Sequence, residues 1–313
     1  MSLENIGFMD LYIHTNGFQQ SMMRPYVRDK VLPPLVPVPD KFHNQIDELR
    51  KIINEKTGND YSLTFDNMRL RISHHKTASG EGWASIRKIP TNVPNMNSLR
   101  IPKYIQKRFK FFAKNSGLIV FAGATGQGKT TSATALLDYY LRTHGDVCVT
   151  IEDPVEYDLQ SLDWGNNATV YQFEAEEEDD WANYLKISLR WHPRYIYLGE
   201  LRTPEATAQA LRAASSGHLV ITTLHAGTIE EAIHAVRHLA SPVTQDRTDS
   251  MLADSFLATV HQRLTPGGPA MKILYATGKG LGDPARSALR SGKIEQLGTL
   301  IEKQNNTVAQ TDV

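Results

Sequence analysis

The residues with the clearest chemistry are Gly123-Ala124-Thr125-Gly126-Gln127-Gly128-Lys129-Thr130, which follow the pattern G-x-x-x-x-G-K-[ST]. Glycines at this spacing let successive backbone amides turn inward and converge on a phosphate. Lys129 adds a positive charge for the β- and γ-phosphates, and the Thr130 hydroxyl is placed to ligate Mg²⁺. Thr131 completes the segment that faces the nucleotide. The five residues before the loop, 118–122, are apolar like a buried strand. After it, Ala133, Leu136, Leu137, Tyr140 and Leu141 recur at helical spacing, and Gly145 is a stop signal. A helix starting near Lys129 points its positive end at the same phosphates. Strand, loop and helix together predict a site for ATP with Mg²⁺.

Phosphoryl transfer to water needs a metal holder and a group that orients or deprotonates the water. Parallel strands deliver such groups at their C-terminal ends, beside the phosphate loop. Thr150-Ile151 leads into Glu152-Asp153-Pro154-Val155-Glu156, and Tyr195-Ile196-Tyr197-Leu198-Gly199 leads into Glu200. A third run, Leu219 to Leu224, ends in His225. Three strand ends therefore present polar groups toward one edge. Other clusters read as surface. Glu174 to Asp180 carries six acids in seven residues and suits a solvated loop, while His234 and His238 lie i,i+4 on a helix with no third ligand in view. Lys103 to Lys114 sets Ile105, Phe109 and Phe112 on one helical face, with Lys107, Arg108, Lys110 and Lys114 mostly elsewhere.

The elements that position these groups fit an α/β fold. Apolar runs at 118–122, 147–151, 195–199 and 219–224 alternate with helical patterns, as in a mostly parallel sheet with crossover helices. The last ~70 residues read as helical with a strand at Lys272 to Tyr275. At 313 residues the chain has room for two domains, divided here as 1–100 and 101–313, with Pro90 to Pro102 as the connection. The first is a small α+β domain. Leu11 to His14, Met68 to Ser73 and Trp83 to Ile89 read as strands, and Phe42 to Ile53 as a helix. Lysine plus arginine equals aspartate plus glutamate at 34 each, which gives no global bias toward nucleic acid or an anionic membrane. The lone Cys148 excludes an internal disulfide and a multi-cysteine zinc site; it reads as a buried thiol. No apolar stretch approaches the ~20 residues that cross a bilayer, and the start MSLENIGFMD is not a signal peptide, so a cytoplasmic location is expected.

Four motifs in order resemble the secretion ATPase superfamily, the motors of type IV pili, type II secretion and type IV secretion. They are the phosphate loop, the Asp-box-like Thr150-Ile151-Glu152-Asp153-Pro154-Val155-Glu156-Tyr157, the Walker-B-like Leu198-Gly199-Glu200-Leu201-Arg202, and the His-box-like Gly217-His218-Leu219-Val220-Ile221-Thr222-Thr223-Leu224-His225. Weaker echoes of the family's N-terminal, PAS-like domain lie at Asp10 to His14, Arg69-Leu70-Arg71 and Ile86 to Pro90. Pro284 to Lys293 resembles a C-terminal segment of the pilus-retraction (PilT-like) branch.

The resemblance implies a RecA-like P-loop core behind a smaller PAS-like domain. It implies Glu156 as general base, Glu200 as the metal- and water-side acid, and His225 as sensor of the γ-phosphate. Arg71 and Arg87 would reach the nucleotide from the N-terminal domain. It further implies a homohexameric ring, peripheral to the inner membrane, that drives a membrane-embedded platform protein. Two positions depart from the family. Gln172-Phe173-Glu174 stands where Gln-Arg-Glu is usual, and Thr203 where aspartate is usual; the tetracysteine zinc segment of assembly and type II secretion motors is absent. Two other functions stay open on the residues alone. One is a nucleic-acid translocase of similar core fold, although its expected basic, aromatic-rich loops are missing. The other is a regulatory module that binds ATP without turnover.

Overall fold

Residues 2–16, 20–25, 33–278 and 282–309 are described by the structure, a computed structural model. They divide into two compact units: one of residues 1–91 with Pro154–Asp158, the other of 92–153 with 159–313.

In the first unit, alternating apolar residues build strands and one helix covers them. The strands are β1 (Phe8–His14), β2 (Met22–Pro25), β3 (Val36–Pro37), β4 (Asp60–Phe65), β5 (Met68–Lys76) and β6 (Gly82–Lys88). They pair antiparallel throughout, in the order β3-β2-β1-β6-β5-β4. Helix α1 (His43–Glu55) contributes Ile46, Leu49 and Ile53, spaced to share one face, to a core with Leu11, Ile13, Leu70, Ile72 and Ile86. The opposite sheet face is mixed, carrying Asp10, Arg71 and Arg87 beside Tyr12, Ser73 and Ser85. A strand of the other unit ends at Glu152, and from Pro154 to Asp158 the chain belongs with this one; the Asp158 amide donates to Pro90 O at 3.1 Å.

The second unit begins before its first helix. Met96 and Ile101 are buried, and Gln106 Nε2 donates to Ile101 O, so the stretch after Thr91 packs as part of this unit. Its elements are α2 (Lys103–Phe112), β7 (Gly117–Ala122), α3 (Lys129–His144), β8 (Asp146–Glu152), β9 (Ala168–Glu174), α4 (Glu178–Ser188), β10 (Tyr195–Leu198), α5 (Pro204–Ser215) and β11 (Leu219–Leu224). There follow α6 (Ile229–Thr244), α7 (Thr248–Ser255), β12 (Phe256–Thr265), β13 (Gly268–Tyr275), α8 (Pro284–Arg290) and α9 (Leu297–Ala309). The sheet runs β13-β12-β7-β11-β10-β8-β9, parallel except for the β12–β13 hairpin. Every residue of β7 and β11 is buried, as expected of central parallel strands covered on both faces. Cys148 is buried in β8, and burial pushes its thiol well above the ordinary range.

Three expectations need correction. The acidic run is not a solvated loop. Glu174 ends β9, and Glu177 caps α4 in a reciprocal box with Asp180, so Glu178, Asp179 and Asp180 lie against the positive end of a helix. The C-terminal part is less helical than its pattern suggests, because β12 follows α7 without a break. The strand at Lys272 to Tyr275 is the end of a hairpin arm that starts at Gly268. Strand β9 also escapes the apolar-run criterion, being an edge strand whose Tyr171 is exposed.

Gly145 ends α3 at φ 68°, ψ −156°, a region essentially confined to glycine. A Cβ there would meet Asn166 O at 2.1 Å. Gly145→Ala is therefore expected to destabilise the chain by about 2–3 kcal/mol, combining backbone strain with a displaced loop. Urea denaturation beside the parent chain checks this; an unchanged midpoint would contradict the close approach.

Candidate active site

Strand β7 hands the chain to the phosphate loop at Gly123, whose amide is held by Leu224 O at 3.3 Å. A Cβ at Gly123 would meet Gln262 O on β12 at 2.5 Å, so the loop leaves the sheet pressed against its neighbour strand. Gly128, at φ 73°, turns the chain into α3. Lys129 is buried at 7% exposure, and its ammonium donates to Gly123 O at 2.9 Å and Ala124 O at 3.0 Å. The charge is thus held on the axis of the loop, where phosphate oxygens can exchange with carbonyl oxygens. Thr130 and Thr131 follow on the first turn of α3, whose dipole adds to the same positive end.

Neighbouring strand tips supply the rest. Tips of β11 and β10 lie side by side because Thr222 pairs with Leu198, and β10 pairs in turn with β8 through Leu198 and Ile151. His225 follows β11. Its Nδ1 lies 3.3 Å from Lys129 Nζ and 3.4 Å from Thr125 Oγ1, and its Nε2 lies 3.5 Å from Glu200 Oε1. Histidine therefore links the loop lysine to the acid of the next strand. Glu200 also accepts from Arg202 Nε at 3.3 Å, and Arg202 reaches Asp153 at 2.8 Å. Thr223 Oγ1 donates to Gly199 O at 2.7 Å, fixing the backbone from which Glu200 projects.

The second unit thus gathers the loop, His225 and Glu200 of the anticipated residues. The others are carried by the first unit. Glu156 lies in the Pro154–Asp158 segment. Arg71 and Arg87 sit directly opposite each other on β5 and β6, both on the exposed face. Arg87 Nε donates to Asp10 at 2.8 Å, and Arg24 approaches the same carboxylate at 3.8 Å. That hydrogen bond raises the Arg87 guanidinium above its usual range. The row Arg24, Asp10, Arg87, Arg71 follows the register across four strands and carries three positive charges against one negative. Such a row suits a polyanion.

One acid at a strand end has no role assigned from the sequence. Glu152, 3% exposed, accepts from Thr150 Oγ1 at 2.7 Å and Gln172 Nε2 at 3.0 Å at the tip of β8. A Cβ at Gly199 would lie 3.5–3.7 Å from Glu152, in ordinary van der Waals contact, so this glycine backs directly onto the buried acid. The two departures also gain physical sense. Thr203 caps α5 by accepting from the Ala206 amide at 3.2 Å, which preserves what an aspartate does at that place. Phe173, in place of an arginine, stacks on Tyr184 with centroids 5.1 Å apart and leans on Trp191 at 5.6 Å.

The donors suit Mg²⁺. It takes one or two protein oxygens together with phosphate oxygens and water rather than an all-protein cage. Among the described residues no cluster of three or more His, Cys, Asp or Glu is arranged for a metal, whereas Thr130 and Glu200 offer oxygen ligands.

With its loop on a central parallel strand and an acid and a histidine at adjacent tips, the second unit is a P-loop ATPase core of the RecA-like kind. The family model described as type II/IV secretion system protein matches residues 26–274. The chain belongs to that family. A twitching motility protein of Neisseria gonorrhoeae is 30% identical over 268 residues, 85% of this chain and 70% of that one. The type IV pilus retraction ATPase PilT of Pseudomonas aeruginosa is 31% identical over 273 residues, 85% of this chain and 75% of that one. In fold, the crystal structure of the pilus retraction motor PilT with bound ADP matches with a TM-score of 0.72 at 24% identity, covering 96% of this chain and 87% of that chain.

Proposed function

We propose that this chain hydrolyses ATP with Mg²⁺ and, as a homohexameric ring, drives a type IV pilus or secretion machine from the cytoplasmic side of a membrane. Converging loop amides and Lys129 neutralise the β- and γ-phosphates. Thr130 and Glu200 would hold Mg²⁺, which would spread the charge of the transferring phosphoryl group. Glu156 takes the proton of the attacking water, and His225 senses the γ-phosphate. Arg71 and Arg87 complete the nucleotide's surroundings from the first unit, in the same subunit or a neighbouring one. Binding would favour one arrangement of the two units, and product release another, which is how a hinge-type motor extracts work. A platform protein in the membrane would receive that motion. No helix among the described residues is long and apolar enough to cross a membrane, which fits attachment through a partner.

One observation carries this proposal: His225 lies between Lys129 Nζ, at 3.3 Å, and Glu200, at 3.5 Å. Loop charge and strand-tip acid therefore belong to one cluster on one unit. Steady-state phosphate release by the full chain tests it, with Mg²⁺ present or chelated and with DNA added or omitted. The expected result is Mg²⁺-dependent turnover that DNA does not stimulate. Tight ATP binding without phosphate release would make the chain a regulatory module, and strong stimulation by DNA would make it a translocase. Native mass measured with ATP tests the ring; a monomer under turnover conditions would exclude it.

A further inference from the structure

The phosphate loop is clasped from the side by β12. Gln262, 1% exposed, donates from Nε2 to the backbone oxygen of Gln127 at 2.6 Å. In return the Gln127 side chain accepts the Leu264 amide at 2.7 Å. These bonds join the loop to a strand more than a hundred residues away in sequence, beside the place where Gly123 presses on Gln262 O. The Gln262 Oε1 atom is buried with no hydrogen-bond partner, a cost that persists in a native fold when the side chain serves something beyond packing. The strand is itself anchored. At the hairpin's far end Gly268 lies against Leu99 and Arg100, and Tyr104 donates from its hydroxyl to Met271 O at 2.6 Å.

We propose that Gln262 and Gln127 form a positioning pair that holds the phosphate loop in its phosphate-binding shape before ATP arrives. A loop whose amides already converge loses little conformational freedom on binding, whereas a loop released from β12 must be ordered by the nucleotide itself. The pair would act through the direction of the loop amides and of Lys129, since its bonds run between the loop backbone and β12. This inference rests on ATP binding at that loop.

The test uses the full chain with fluorescently labelled ADP as probe, comparing the parent with Gln127→Ala, Gln262→Ala and the double variant. Loss of one clasping bond is expected to raise the ADP Kd about tenfold. Gln127→Ala leaves the buried strand intact and is expected to melt at the parental temperature without nucleotide, so its weakened binding reports positioning rather than unfolding. The double variant is expected to be little worse than the weaker single, as for two halves of one device. Parental affinity in Gln127→Ala, or losses that simply add, would overturn the pair. A parent chain that binds no ADP would overturn the proposed function itself, and this inference with it.

Discussion

Replacing Lys129 by alanine is expected to lower ATP turnover by at least about 100-fold, the scale on which single charge-stabilising donors act in phosphoryl and acyl transfer. Lys129 is buried, and its ammonium is held by two loop carbonyls and faces His225. Removing it leaves the β- and γ-phosphates without the ammonium that would neutralise them. Either variant loses the ammonium's bonds to Gly123 O and Ala124 O, and alanine also loses the packing of the buried stem, so Lys129→Met serves as control for that packing. Methionine retains an apolar stem of similar length and removes only the donor and the charge. Both variants should fall together in a phosphate-release assay. Parental turnover in either would place the nucleotide elsewhere.

Glu156→Gln carries the second large effect. If Glu156 is the general base, the amide keeps size and hydrogen bonding but cannot take a proton, and hydrolysis is expected to drop by about 10²–10⁴-fold. ATP affinity should remain near parental, because the substitution acts on the transition state rather than on ground-state binding. Equilibrium binding of ATP alongside single-turnover hydrolysis separates the two. Retained hydrolysis with a matching loss in Glu200→Gln would move the base role to Glu200. That acid already sits 3.5 Å from His225.

How far the sequence reveals this arrangement depends on the range of the interactions. The loop is legible because G-x-x-x-x-G-K-[ST] is a local pattern, and the packing residues of α3 obey a simple period; Ala133, Leu136, Leu137, Tyr140 and Leu141 are all fully buried. His225 and Glu200 are legible because parallel strands end on one edge, whatever the details of pairing. Strand β12 is not. Phe256 continues directly from Ser255 with no glycine or proline between, so the apolar run Phe256 to Val260 extends a helical pattern by eye. Missing that strand hides Gln262, whose partner lies 135 residues earlier. Glu152 is legible only as one acid at a strand end, without a role. It stands among four other polar or charged residues of one motif, and only burial beside Gln172 of β9 sets it apart. The acidic run misleads because composition alone cannot tell a solvated loop from a helix start, and Glu177 with Asp180 makes it the latter.

The central claim is that loop amides, Lys129 and the tips of β10 and β11 converge on one γ-phosphate. A crystal structure of the full chain with Mg²⁺ and a non-hydrolysable ATP analogue tests it most directly. The predicted result places Lys129 Nζ on β- and γ-phosphate oxygens, Mg²⁺ on the Thr130 hydroxyl, and His225 and Glu200 facing the terminal phosphate. A nucleotide bound away from residues 123–131, or a terminal phosphate turned from the strand tips toward bulk water, would contradict it.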